Sequence, residues 1–220
     1  VKDGAAELTL SGVNTFSGTI AVDGGMLTLS GGSALANSMA VTVGAGGSLK
    51  LATSEEIATL AGAGAVLLQS NTLTLGGTAA TTYSGVMSGA GMLVKNGSSI
   101  FTVSGSNTFS GGVNLSAGAL QIGNNAAFGT GLVNFSAGRI SSDSVTARTI
   151  GNAFDLSGVL TMGDATNSGA LILSGNAALS GNTTLTVASA ATLSGIVSGA
   201  FNLVKDGAAE LTLSGVNTFS

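Results

Sequence analysis

Apolar positions alternate with small polar ones along much of this chain. Leu8-Thr9-Leu10, Ile20-Ala21-Val22, Leu27-Thr28-Leu29, Val41-Thr42-Val43, Leu49-Lys50-Leu51, Leu73-Thr74-Leu75 and Leu185-Thr186-Val187 all follow this rule. Alternate side chains of a strand point to opposite faces, so period two predicts short strands with one apolar face. The aliphatic members are expected to face a core, and Thr, Lys and Glu7 to face out. Thr suits an outer face because its branched side chain favours strand geometry. Turn formers separate the runs, as at Ser11-Gly12, Asp23-Gly24-Gly25 and Gly44-Ala45-Gly46-Gly47. The absence of Pro fits a backbone whose N–H groups are needed in ladders. One stretch reads ambiguously: Thr53-Ser54-Glu55-Glu56 ahead of Ile57 could open a helical turn. Gly62 and Gly64 follow closely, and a loop entering a strand is the expectation.

The strand pattern itself repeats. Ile20 and Val22 recur as Val41 and Val43, and Leu27 and Leu29 recur as Leu49 and Leu51. Val113 and Leu115 recur as Val133 and Phe135, and Leu120 and Ile122 as Ile140 and Ser142. A spacing of about 20 residues is one coil of a solenoid. A longer repeat encloses this one: Val1–Ser17 recurs without change as Val204–Ser220. Inside it, Val94–Asn125 repeats Val1–Gly32 in weaker form, keeping Val-Lys, Ser-Gly and Asn-Thr-Phe-Ser-Gly. The lead-in from Tyr83 recurs from Leu193. The expectation is an all-β solenoid. Residues 1–203 form one tandem unit, with half-units at about 1–93 and 94–203, and residues 204–220 begin the next. Such a unit holds roughly ten coils and, at ~4.8 Å per strand, spans roughly 48 Å. A two-layer sandwich would give short strands but neither repeat. Helical repeats are excluded by the lack of a 3.6-residue period.

Composition narrows the function. Only 7% of residues are charged and 44% are hydrophobic, with 36 Gly and no Cys, His or Trp. Low charge and abundant Gly would suit disorder, but the hydrophobic fraction and the regular aliphatic spacing argue against it. No apolar run is long enough for a membrane helix. The six basic residues (Lys2, Lys50, Lys95, Arg139, Arg148, Lys205) are scattered, so no basic patch points to nucleic acid. Without His or Cys there is no His-based triad, no thiol nucleophile and no usual zinc ligand.

The remaining candidates for chemistry each have a structural reading. Asn14, Asn107 and Asn217 occupy equivalent turns and are expected to bond nearby backbone. Phe16, Phe109 and Phe219, two residues on, are expected to plug the core at a corner. Asp143, Asp155 and Asp164, with Arg139 and Arg148 nearby, could meet on one face as in polysaccharide-acting β-helices, but read more simply as solvated loop charges. Glu55-Glu56 is the one adjacent acidic pair, and no calcium-loop pattern occurs. The outward pairs Thr72/Thr74 and Thr184/Thr186 do not recur coil after coil, which argues against a flat ice-binding array. No catalytic, cofactor-binding or metal residue is therefore assigned, and the expectation is a non-enzyme without cofactors.

At Ser11–Gly18 and Ser104–Gly111 the sequence resembles the passenger-associated repeats of bacterial autotransporters. Leu93-Val94-Lys95, Ser104–Gly111 and Val113 through Leu120 match the family's pattern in order, and Leu203-Val204-Lys205 with Leu211–Ser220 matches as far as it runs. The resemblance covers most of residues 1–140 and 193–220 and is weak across 141–182. It implies a right-handed parallel β-helix exported to the bacterial surface. Such passengers usually carry a membrane barrel and more divergent repeats, and both departures point to the middle of a long array. The leading expectation is a structural repeat of a stiff extracellular fibre or stalk, its partners being further copies stacked end to end. The alternative is an adhesin whose lateral face binds cells or glycans.

Overall fold

The computed structural model describes all 220 residues and contains twenty-five strands and no helix. Every strand pairing is parallel, and the chain winds as a solenoid with three faces per turn. The first face stacks Thr19–Val22, Ala40–Val43, Thr59–Gly62, Thr81–Tyr83, Ile100–Val103, Ala119–Ile122, Gly138–Ser142, residues 158–162, residues 183–187 and Leu203–Asp206. The second carries five paired strands from Glu7–Ser11 to Met87–Gly89, and four more from Arg148–Ile150 to Leu211–Leu213. The third runs from Glu55–Ile57 through Thr72–Leu75, Met92–Lys95, Val113–Leu115 and Val133–Phe135 to Val197–Ser198.

The register follows the sequence period. Ile20 lies beside Val41 and Val22 beside Val43. Leu27 lies beside Leu49, Val113 beside Val133, and Leu120 beside Ile140. Parallel in-register stacking turns each apolar position into a row, and the rows of three faces meet in one continuous core. Full burial of one such aliphatic side chain stabilises by roughly 1.5–3 kcal/mol. The ladder bonds run along the axis, so each coil depends on its neighbours rather than on local propensity.

Counting along the first face gives the size of the repeat. Lys2 bridges Val22, and ten steps of the ladder lead from Lys2 to the strand holding Lys205. The 203-residue offset thus returns the chain to the first face after ten turns, with Lys205 four register positions along that face from the row of Lys2. Lys95 is different. Four turns from Lys2 the chain reaches Thr81–Tyr83, then passes the second face at Met87–Gly89 and meets Lys95 on the third. The inner copy of the motif is therefore rotated by one face relative to the outer two.

The divergent stretch keeps the fold by local adjustment. Phe154–Met162 and Ala177–Val187 each run unbroken across a corner from the third face to the first. Their pairing shifts register between Leu156 and Gly158, and Gly158 has φ 80°. A side chain is strained there, which suits Gly at the bend. Met162 pairs with Val187, so this coil is 25 residues long and carries an enlarged corner.

Two details depart from the alternation rule. Glu55 lies in the expected strand, Glu55–Ile57, but is buried and points inward. It accepts bonds from Ala34 N–H at 3.1 Å and Leu35 N–H at 2.8 Å, replacing a strand the previous coil lacks. Lys50 sits on the outer row as expected, whereas Lys95 faces the core.

Candidate functional site

The recurring motif is the part of the molecule most specific in its chemistry. Lys95 stands in an inward row, in register between Leu75 and Leu115, and is fully buried. An ammonium group there must find acceptors. The side chain reaches into the following turn, where its amine donates to Gly97 O. Burial disfavours the charged form and pulls the amine down to about 8. Lys2 Nζ donates to Gly4 O at 2.7 Å and to Gly24 O of the next coil at 2.8 Å. Lys205 Nζ donates to Gly207 O at 2.6 Å. The next coil leaves room for the amine with a glycine: a Cβ on Gly25 or Gly118 would come within 2.8 Å of Lys2 Nζ or Lys95 Nζ respectively. Both glycines also have positive φ, 65° and 71°.

The asparagine acts across coils. On the second face, residues 104–112 and 123–131 form no ladder strand, which splits that face into its two sheets. Asn107 spans part of the gap. Its Oδ1 accepts from Met87 N–H at 2.7 Å, and its Nδ2 donates to Ala127 O at 2.6 Å. One amide side chain thus pairs a donor below and an acceptor above. Asn14 Nδ2 makes the upper bond, to Ala34 O at 2.8 Å, and Asn217 Oδ1 the lower, from Val197 N–H at 2.8 Å. The role is structural, as read from the sequence, but the partners lie on neighbouring coils. Asn14 approaches its own turn only at 3.5 Å, to Gly12 O. Phe109 fills the core at this corner and is fully buried.

The acidic candidates do not converge. Asp143 pairs with Arg148 at 2.8 Å, and Asp164 pairs with Arg139 from the preceding coil. Asp155 belongs to the third face, in register beside Asn134, with Oδ1 buried and unbonded. Burial acts to raise the Asp164 carboxyl, but bonds from Asn167 and Thr166 N–H and the Arg139 charge outweigh it and hold the group below its ordinary value. A general acid needs the opposite shift. The outer Thr pairs are flanked by unlike residues: Met92 and Val94 follow Thr72 and Thr74, and Val204 and Asp206 follow Thr184 and Thr186.

Sequence reasoning missed the inward lysine, because a lone Lys between aliphatics reads as outward. The signal was its place in the pattern. In Leu93-Val94-Lys95, the alternation that buries Leu93 also buries Lys95.

Comparison with known proteins adds two findings. The passenger-associated-transport-repeat family model matches residues 1–29, 93–122 and 203–220. The adhesin BmaC autotransporter of Brucella suis biovar 1 (strain 1330) is 33% identical over 138 residues, 61% of this chain and 4% of that protein. The chain therefore spans a small fraction of that relative's length. No solved structure matches. Each of the three segments that match the passenger-associated-transport-repeat model contains one of the three lysine turns, so the lysine turn is the part of this β-solenoid most similar to that repeat.

Proposed function

We propose that the chain is a length of stiff extracellular solenoid in an adhesin-type autotransporter passenger, with copies of the 203-residue unit stacked end to end. One observation carries the reading. The same seventeen residues stand ten turns apart on the same faces, and Asn14 and Asn217 each make the half of the bridge that Asn107 makes whole. A following unit brings residues equivalent to Gly18–Leu35 onto Val204–Ser220, as Gly18–Leu35 already lies on Val1–Ser17. The unit then has a structural role, outside the cell or at its surface, and no catalytic one. The paired state of Asp143 and Asp164 agrees with that.

The test is a chain of two units, residues 1–203 followed by 1–220. Small-angle scattering and cryo-EM should show one straight rod, longer than the 220-residue chain by ~48 Å. Two bodies joined by a hinge would overturn the proposal.

A second reading is lateral binding, in line with the similarity to an adhesin. Val159 and Val204 are both exposed and flank Thr184 in register, giving an apolar strip on the first face. Cell-binding assays with Val159→Ser and Val204→Ser test it. Unchanged binding by the double variant would remove this strip as the contact.

A further inference from the structure

The corner between the third and first faces changes length from coil to coil. In one coil a single residue, Ala58, joins strand Glu55–Ile57 to strand Thr59–Gly62. In the next coil residues 76–80 join Thr72–Leu75 to Thr81–Tyr83. In the coil before, a turn closed by Met39 N–H donating to Ala36 O at 2.9 Å carries Asn37 and Ser38. The short corner thus lies between two that project. Above it the pairing of first-face strands thins to Tyr83 with Gly62. The result is a notch of about 400 Å³, floored by Ala58 and Thr59 and walled by Asn37-Ser38 on one side and Gly77-Thr78 on the other. It spans two coil spacings, ~9.6 Å. Its strands are all paired with coils on both sides.

Thr59 sits beside Ala40 in register and precedes Leu60, which faces the core, so its own side chain points outward. It is nonetheless only 7% exposed, because the flanking corners rise around it. Its hydroxyl makes no hydrogen bond within the protein, and the Asn37, Ser38 and Thr78 side chains make none either. Buried polar groups are ordinarily paired, and this one opens onto the notch. At the rim Gly76 leaves room for a carboxylate: a Cβ there would stand 2.5 Å from Glu56 Oε1 and 3.5 Å from Asn96 Oδ1. Glu56 has no ion-pair partner.

The lining selects its ligand partly by what it lacks. No Lys or Arg lines the notch and Glu56 stands at its rim, which disfavours phosphate and sulfate. One carboxylate is too few for a dedicated calcium site. No aromatic side chain lines it, so a flat ring has nothing to stack on. What remains is hydroxyl and amide groups that both donate and accept, a carboxylate that accepts, and Ala and Gly walls that allow close approach. A saccharide ring is the matching surface, with hydroxyls that donate and accept around its edge and C–H groups on its faces. We propose that the notch binds one neutral hexose unit of a glycan, with Thr59 bonding it at the floor and Glu56 accepting from ring hydroxyls at the rim. The site deepens the lateral-binding reading but shares no residue with the Val159–Val204 strip, so the two can fail separately.

The test is a titration of the isotope-labelled 220-residue chain, followed by amide NMR, with glucose, galactose and mannose at millimolar concentrations. At least one hexose should shift the Ala58, Thr59, Gly77 and Thr78 amides in a saturable way. Thr59→Val keeps the shape and removes the hydroxyl, and Glu56→Ala removes the carboxylate; each should weaken the binding about five-fold or more. The spectra themselves verify that both variants stay folded. Glucuronate adds a negative charge to the same kind of ring and should bind more weakly than glucose. No saturable shift at these amides with any of the three hexoses would overturn the proposal, as would affinity unchanged in both variants or glucuronate binding more tightly than glucose. Those failures would leave the cell-binding assay on Val159 and Val204 unaffected.

Discussion

The same motif stands in three settings in this molecule, and only its surroundings differ. Val1–Ser17 has a coil after it, Val204–Ser220 a coil before it, and Val94–Ser110 has both. The turn is the same in the first and last copies, down to the Gly4 and Gly207 dihedrals and the lysine bonds at 2.7 and 2.6 Å. Burial is not. Phe16 is 42% exposed and Phe219 half-buried, while Phe109 is 0% exposed. Leu8 is 42% exposed, and its counterpart Phe101 is 1% exposed. The backbone shape of a coil is written in its own residues, whereas its stability comes from the coils on either side.

Substitution at the three phenylalanines should give the largest contrast. Phe109→Ala is expected to cost about 3–5 kcal/mol in urea unfolding. Phe16→Ala and Phe219→Ala in the 220-residue chain should each cost about 1 kcal/mol or less, in line with their partial burial. In the two-unit chain the Phe219→Ala cost should rise towards that of Phe109→Ala. Equal costs at all three sites in the single chain would break the comparison.

The asparagines come next. Asn107→Ala leaves the Met87 N–H and the Ala127 carbonyl unpaired, at about 1–3 kcal/mol for each buried group. Asn14→Ala frees one group and should cost about half as much. Amide exchange at Met87 should accelerate in the first variant only.

Lys95 offers a pH-dependent version of the contrast. Its amine is pulled down to about 8 when folded, against 10.5 when unburied. Between these values the unfolded chain holds a proton that the folded chain has released, so stability should rise from about pH 8 to about pH 10.5 and be flat just below. The rise is at most about 3 kcal/mol. Lys95→Met should abolish it in denaturant titrations across that range. The smallest effect is expected at Val13 and Val216, which are exposed where the middle copy has Ser106. Val13→Ser should change stability by less than about 0.5 kcal/mol.

Much of the architecture was legible because a parallel solenoid converts sequence period directly into contact. The pairings Ile20–Val41, Leu27–Leu49 and Val113–Val133 are the sequence repeat itself. The plugging role of Phe109 followed from its place after a turn. Other features were not legible, each for a physical reason. Lys95 and Glu55 are inward polar groups whose acceptors and donors belong to other residues, so composition alone assigns them to the surface. The acidic residues looked able to meet because 143, 155 and 164 are close in sequence, yet a third of a turn separates Asp155 from the others. The rotation of the inner motif was hidden in its 93-residue offset, which is not a multiple of about 20.

That rotation bears on how such a repeat would meet another surface. An array of units in this register would show each outer feature along one side at intervals of ~48 Å, like marks on a ruler. The inner copies would mark a different side. A weak contact on one face would then recur in line, and several could engage a flat target together. Avidity of that kind exceeds single-site affinity by about 10²–10⁴ without any new contact. Ten turns per unit would return each mark to its own face.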